Sequence, residues 1–525
     1  MTRDWKQRRT GDCVKLSTPR SVQKLRKALY ERAKRDPNLR FYSVYDKVYR
    51  EDMLSYAYAR CRANRGAGGL DGVTFEDIEQ GGGPGPMLAR LAEELKTKQY
   101  VPGPVRRVYI PKANGGERPL GIPNIRDRVV AMVVKLILEP IFEADFDVDS
   151  YGFRPGRNAQ HALCAIRASM AQGMTWVVDA DVSQCFDKIP HDKLLKTVAS
   201  RVVDGAMLAL VKKHLQAPVV DEQEGGRRTR PRTGTPQGGP ASPLLANIYL
   251  HVLDRNVRKR VERGELKGRL VRYADDFVIV SPEPPERELQ WAKRLMTRMG
   301  LTLHPEKTRV VDARSEWVDF LGYRVRRRSS GRIALDISKP AMRRISDRLR
   351  RSTHRTFLSQ EELIKEVNVY IRGARAYFQL AEPRTLWNLD RFVLARIARW
   401  ARHKRVRRSP VWSLARGGPL YREHGLVTWW RRGQPYAGNP HVRLEEGAPV
   451  GTPWRDTQAL PTERGSPGYG PSYSSTRPGP TLQLFSARPI LNAGAPTRPP
   501  TTALPAILRE RGGLTEAGAP RRVAA

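Results

Sequence analysis

The sequence predicts an α+β protein, and three observations carry that expectation. From about residue 106 to 335, strand-like and helix-like patterns alternate, which gives a mixed α/β core. From 338 to about 410 the pattern is helical throughout. From 432 to 525 periodicity ends, and 15 of the chain's 40 prolines fall there among Gly, Ser and Thr, a composition that predicts disorder. The 525 residues therefore divide into a basic, partly helical extension (1–60), the mixed core (61–335), a helical region (336–431) and a Pro/Gly-rich tail (432–525).

The elements follow in order. SVQKLRKALYERAKRD sets Leu25, Leu29 and Ala33 on one stripe among charges. Residues 61–105 are Gly-rich at NRGAGGLDG and GGGPGP, with a short helix near 87–98. RRVYIPKANGGERPLGIPNIRDRVV reads as a strand, a turn at Asn114-Gly115-Gly116 and a second strand, with Lys112 and Arg118 flanking the turn where they suit phosphate oxygens. In WVVDADVSQCFDKIPH, Val177, Asp179 and Asp181 share one strand face, and Trp176, Val178, Ala180 and Val182 share the other. TGTPQGGPASPLLANIYLHVLD is a Gly/Pro loop followed by a helix, with Ser242 as N-cap and Pro243 at the first helical position. Glycine in that loop lets backbone and Gln237 approach a nucleotide. In LVRYADDFVIV, two apolar strands flank a turn bearing Asp275 and Asp276. Further on, Ser338 and Ser359 read as N-caps, Ser359 and Glu362 have capping-box spacing, and Pro383 opens a third helix.

Charge narrows the partners. The net formal charge is +40, a field that attracts a polyanion, and nucleic acid suits it best. The excess continues through 338–410, with 19 Lys and Arg against 6 Asp and Glu, interleaved with Trp387, Phe392 and Trp400. Arg396, Arg399 and Arg402, spaced by three, are expected to line one side of a helix and bind RNA. No apolar run reaches the roughly 18 residues of a membrane span, so no membrane partner is expected. The N-terminus MTRDWKQRRT has no apolar signal core. Cys13, Cys61, Cys164 and Cys185 are scattered without a CxxC pair, which argues against a zinc site and for a reducing, cytoplasmic setting.

Adjacent acids at a hairpin tip also occur in ordinary turns. Here the flanking strands are apolar, so the tip belongs to a core, where carboxylates are costly unless paired or bound to metal. Two hard cations about 4 Å apart need carboxylates from more than one element, which Asp181 and Asp275 supply.

Taken together and in this order, NRGAGGLDGVTF, IPKANGGERPLGIP, SYGFRPGRNAQHAL, DADVSQCFDKIPH, TPQGGPASPLLANIYL, YADDF, HPEKTRVV and FLGY resemble the successive blocks of group II intron reverse transcriptases, the intron-encoded maturases. The resemblance covers roughly 60–330. The helical segment to about 430, including NVYIRGARAYF, is similar to the family's thumb and maturase region. It implies a right-hand polymerase, with fingers and palm over 61–335 and a thumb/maturase domain over 336–431. The implied function is RNA-directed DNA polymerisation by two-metal nucleotidyl transfer, with assistance to intron RNA splicing and retrohoming.

The implied residue roles follow the same blocks. Asp181 and Asp275, with Asp276 beside them, would hold two Mg²⁺ ions. Lys112, Arg118 and Gln237 would surround the incoming nucleotide, and Phe186 would gate its sugar. Lys307 would assist the leaving pyrophosphate, and Leu321 and Gly322 would grip the primer end. Asp187 is read as structural. The implied partners are group II intron RNA, an RNA template with DNA primer, target DNA and deoxynucleoside triphosphates. Many family members carry a C-terminal endonuclease with paired Cys and His ligands. Nothing here after Trp430 has a Cys, and His441 is the only His, so that activity is not expected. Rival readings are a splicing-only RNA-binding maturase and a retron, diversity-generating or immunity-linked reverse transcriptase.

Overall fold

The apolar runs WVV and FVIV have a single cause: their strands are buried on both faces. The computed structural model describes residues 16–111, 116–223, 225–236, 238–404 and 425–429, all within one compact unit, Met1–Leu484. The expected disordered tail at 432–525 lies outside the described residues. At the centre is a four-stranded antiparallel sheet, ordered Arg269–Tyr273, Asp276–Ser281, Trp176–Asp181, Arg309–Asp312. Val178, Ala180, Phe277 and Ile279 point into one hydrophobic cluster. This cluster is built on the long helix Ile125–Glu143 and the helix Ser242–Glu262. Val177, Val278, Val280 and Val311 point the other way, into a second cluster shared with the C-terminal helices.

Those C-terminal helices begin where the capping signals say. Ser338 accepts from the Ala341 N–H ahead of Lys339–Ser352, Ser359 and Glu362 form a complete capping box ahead of Gln360–Tyr377, and Pro383 opens Pro383–His403. Between them and the central sheet lies a three-stranded sheet, Val318–Phe320, Tyr323–Arg327 and Ile333–Ile337. A third sheet contains the predicted basic hairpin, Val105–Pro111 with Glu117–Ile122, extended by Val219–Asp221 and Arg227–Thr229. The N-terminal helix Arg20–Arg35 buries Val22, Arg26, Leu29 and Ala33, so the expected stripe holds except that Leu25 is only partly buried. Arg26 enters it because Glu139 receives its guanidinium at 2.5 Å. None of the described helices is long and apolar enough to cross a membrane.

One expected cap is corrected. Ser242 is the first residue of its helix, not the cap, and its hydroxyl donates to the Pro236 carbonyl at 2.7 Å. It braces the preceding loop and leaves the first helical N–H groups to other partners.

The tip of the Arg269–Ser281 hairpin is held from below. Arg272 is 1% exposed and grips Asp254 with two hydrogen bonds, 2.7 and 2.6 Å. Its remaining nitrogen donates to Asn247 Oδ1 and the Ala274 carbonyl, both at 2.9 Å. Burial pushes the Asp254 carboxyl up, but the charge and hydrogen bonds of Arg272, with help from His251, outweigh it and hold the pKa at about 2. Beneath the turn, Gly152 lies so close that an added Cβ would be 2.3 Å from the Ala274 nitrogen.

Asp254→Asn removes the counter-charge from a guanidinium that has no water to turn to. It should lower the unfolding free energy by about 3–5 kcal/mol in urea denaturation. The pair's contribution is complete above the ordinary carboxylate pKa of 3.8 and is lost as pH falls through about 2. A loss under about 1 kcal/mol, the value of an exposed pair, would show that this pair is not the anchor.

Candidate active site

The acids come together because strand register puts them at one end of the central sheet. Asp181, the last residue of its strand, pairs with Asp276, the first residue of the next. Asp179, Asp181 and Asp276 occupy one sheet face by alternation, the face of Val278 and Val280. The turn is a two-residue loop, Ala274-Asp275, closed by the pair Tyr273 and Asp276. Only Asp275 of the two predicted turn acids is therefore in the turn. Ala274 has φ +59°, a left-handed conformation in which glycine is preferred. It is kept there by Arg272 and by the backbone at Gly152.

The electrostatics are those of crowded carboxylates. Asp276 keeps an exposed surface yet is ringed by protein, as a side chain on a cleft floor is. Lost hydration, then the charges of Asp275, Asp181 and Asp179, push its pKa up to about 7, with Lys307 opposing. Asp275 is raised by burial and by Asp181, while its own backbone N–H, Arg118 and Arg272 pull the other way. Asp179 is raised to about 6 by burial and by Asp319 and Asp181, against Arg309. A like-charged carboxylate group of this kind favours the arrival of protons or cations.

One cation already present belongs to the chain. Lys307 Nζ donates to Asp181 Oδ2 at 2.8 Å. The His304 N–H donates to the Asp181 carbonyl at 2.7 Å and so fixes the HPEKT turn beside the strand end. Lys307, expected near the pyrophosphate, thus rests on Asp181. Among the described residues, no group of three His, Cys, Asp or Glu side chains is placed to hold a metal ion by itself. The donor set nonetheless fits a hard divalent ion such as Mg²⁺, which keeps waters and takes one or two carboxylates together with substrate phosphates.

The basic hairpin reaches this end of the sheet, since Arg118, paired in register with Ile110, is close enough to act on Asp275. Lys112 and Gln237 lie outside the described residues. Phe186 sits in the short helix Cys185–Lys188, buried in the first cluster with 9% exposure. Its carbonyl accepts from the Thr235 N–H at 2.6 Å, which ties it to the TPQGG loop. Gly238 of that loop has φ +117°, and a Cβ there would come 2.4 Å from the Gly121 carbonyl. The close approach of this glycine is to the hairpin strand. Between hairpin and loop is a cavity of about 300 Å³, lined in part by Arg107, Tyr109, Gln184, Asp187 and Thr235.

Leu321 and Gly322 form the turn between Val318–Phe320 and Tyr323–Arg327. The three arginines divide. Arg399 and Arg402 are exposed, but Arg396 is half-buried and donates to the Thr353 hydroxyl at 2.9 Å. A spacing of three falls 60° short of a full turn at each step, so Arg396 and Arg402 sit about 120° apart. Sequence reasoning passed over Asp179 as a member of the acidic group, although its shared face with Asp181 was visible in the strand pattern. It had no signal for the contact between Lys307 and Asp181.

Comparison with known proteins adds to this geometry. Residues 110–325 match the family model described as reverse transcriptase (RNA-dependent DNA polymerase), and residues 342–418 match the group II intron, maturase-specific domain. Protein YkfC of Escherichia coli (strain K12) is 32% identical over 348 residues, 59% of this chain and 89% of that protein. The group II intron-encoded protein LtrA of Lactococcus lactis subsp. cremoris is 31% identical over 376 residues, 58% of this chain and 61% of LtrA. An uncharacterized 91 kDa protein in the cob intron of Schizosaccharomyces pombe is 29% identical over 445 residues, 68% of this chain and 53% of that protein. The chain thus spans about half to nine tenths of the length of these relatives.

The raised carboxylates set a pH signature. A group at about 7 in the folded state and 3.8 as its ordinary value holds its proton longer when folded, so its contribution to stability declines as pH rises from about 4 through 7. With divalent ions chelated at pH 8, Asp276→Asn should therefore melt at a higher temperature than the unsubstituted protein, and adding Mg²⁺ should narrow or reverse the gap. A variant melting at or below the unsubstituted protein under chelation would mean that these acids do not repel one another as described.

Proposed function

Because the chain belongs to the family of group II intron-encoded reverse transcriptases, we propose that it copies RNA into DNA at Asp181, Asp275 and Asp276 and assists the splicing of a group II intron. The observation that carries this reading is the register pairing of Asp181 with Asp276 beside Asp275, three carboxylates from two elements at one sheet end. The maturase-specific match at 342–418 favours the intron assignment over a retron, diversity-generating or immunity-linked enzyme. In this reading 61–335 form fingers and palm, 336–431 form the thumb and maturase domain, and the protein works in the cytoplasm. Its partners are intron RNA, an RNA template with DNA primer, target DNA and deoxynucleoside triphosphates.

The family uses divalent metal ions. We infer two Mg²⁺ ions here, which when bound activate the primer 3′-hydroxyl and neutralise charge on the triphosphate. Asp181, Asp275 and Asp276 would hold them. The chain's own cations complete the site. Arg118 would meet triphosphate oxygens; Lys112 and Gln237, outside the described residues, are assigned to the nucleotide by the family's sequence blocks alone. Lys307 holds a proton at Nζ and, released from Asp181, offers it to the leaving pyrophosphate. Phe186, anchored through its carbonyl to the TPQGG loop, would gate the sugar by colliding with a ribose 2′-hydroxyl. Arg399 and Arg402 present exposed charge for intron RNA on the last described helix.

With an RNA template, a DNA primer and Mg²⁺, the protein should extend the primer. Asp275→Asn should reduce the rate by orders of magnitude, since a ligand and its charge are lost while volume is kept. Intron splicing by the same folded variant should persist, because RNA holding does not need the carboxylate. Extension at the unsubstituted rate would remove Asp275 from the site. Phe186→Ala should raise ribonucleotide use relative to deoxynucleotide in single-nucleotide extension. Unaltered discrimination would make Phe186 a packing residue alone.

A further inference from the structure

Leu321 is an unusual occupant of its turn. It has φ +50° and Gly322 has φ +75°, so both central residues of this two-residue hairpin loop are left-handed, as in a type I′ turn. Gly322 suits that conformation. A leucine in it is strained, because its Cβ crowds the following carbonyl. Asn-Gly would form the turn unaided, so Leu-Gly needs support from elsewhere.

The support comes from the helical region. The Tyr377 hydroxyl donates to the Leu321 carbonyl at 2.8 Å. Tyr377 closes the helix Gln360–Tyr377 and lies within the maturase-specific match, whereas Leu321 lies within the reverse transcriptase match. The tyrosine is itself held on several sides. The Tyr323 hydroxyl donates to its carbonyl at 2.6 Å, and Gln160 Nε2 donates to the same oxygen at 2.8 Å. Phe378 packs edge-on at a centroid distance of 4.9 Å. Burial raises the Tyr377 phenol above its ordinary range, and Tyr273 and Asp276 add to the rise. The hydroxyl therefore stays a donor at any working pH, and it lies near the carboxylates.

We propose that Tyr377 is a positioning residue for DNA synthesis: its hydroxyl holds the Leu321–Gly322 turn in the left-handed form that meets the primer end, so that the helical region aligns the primer terminus against the acids. This rests on the reading of that turn as the primer grip. In this role the residue acts through the turn.

The test uses the full-length protein in single-turnover extension, with template–primer and deoxynucleotide varied separately. Tyr377→Phe keeps the ring and removes one hydrogen bond. It should weaken the apparent affinity for template–primer roughly two- to tenfold, the range one such bond represents. The deoxynucleotide dependence should stay unchanged, and the thermal midpoint should fall by no more than the few degrees that one hydrogen bond represents. In a Leu321→Asn background the same substitution should have a smaller effect, since Asn-Gly holds the turn alone. The proposal is overturned if the penalty is equal in both backgrounds. It is also overturned if Tyr377→Phe lowers the midpoint and weakens both substrates alike, as a packing residue would. Gly322→Val, which cannot adopt φ +75° without strain, separates the underlying reading. If Gly322→Val changes primer dependence and Tyr377→Phe does not, the grip stands and Tyr377 is not its support. If Gly322→Val changes nothing, the turn is not the grip and the proposal goes with it.

Discussion

Arg272 is a guanidinium almost wholly withdrawn from water, and the arrangement of the candidate site depends on how its charge and hydrogen bonds are satisfied. Asp254 and Asn247 meet it from the helix Ser242–Glu262. Its backbone N–H donates to the Asp149 carbonyl, and its own carbonyl accepts from the Tyr151 N–H. It also holds the Ala274 carbonyl, one residue before Asp275. A single residue, through side chain and backbone, thus fixes helix, strand, turn and the 149–152 segment to one another. Carboxylates that repel, on a turn with a left-handed alanine, would not keep this geometry by themselves. Strain and like charge persist at functional sites when surrounding structure over-determines them, and Arg272 supplies that over-determination.

The second constraint is topological. The central sheet has no wet face away from its acidic end, so its position is set by two hydrophobic clusters acting from opposite sides. This fixes the register in which Asp181 meets Asp276, because a one-residue slip would turn every valine on the strand to the wrong cluster. The acids are brought together by apolar packing rather than by any attraction of their own.

Much of this was legible in local pattern. The hairpins, the caps at Ser338 and Ser359 and the opening at Pro383 rest on interactions within a few residues, and such signals survive in a single sequence. What escaped depends on distant packing. Lys307 and Asp181 are 126 positions apart, and no pattern joins them. Arg272 looks like an interruption in an apolar strand until Asp254 is seen beneath it. Gly238 packs against the backbone of Gly121, a contact that no local pattern announces. Arg396 shows the limit of counting by threes, since the helix rotates it towards Thr353 and away from Arg402. Ser242 shows how one residue's displacement turns a helix cap into a loop brace.

The second cluster also bears on how such a protein descends and recombines. Val177, Val278 and Val280, from the segment matching the reverse transcriptase family, share that cluster with Ile345, Val367 and Ile397, from the segment matching the maturase-specific family. The two families are distinct as stretches of sequence, but here they are not separable as bodies. A gene exchange with its breakpoint between them would join halves that had not been shaped to fit, and would leave an apolar sheet face against an unfamiliar partner. A change of side-chain volume on one side of the seam is therefore felt on the other.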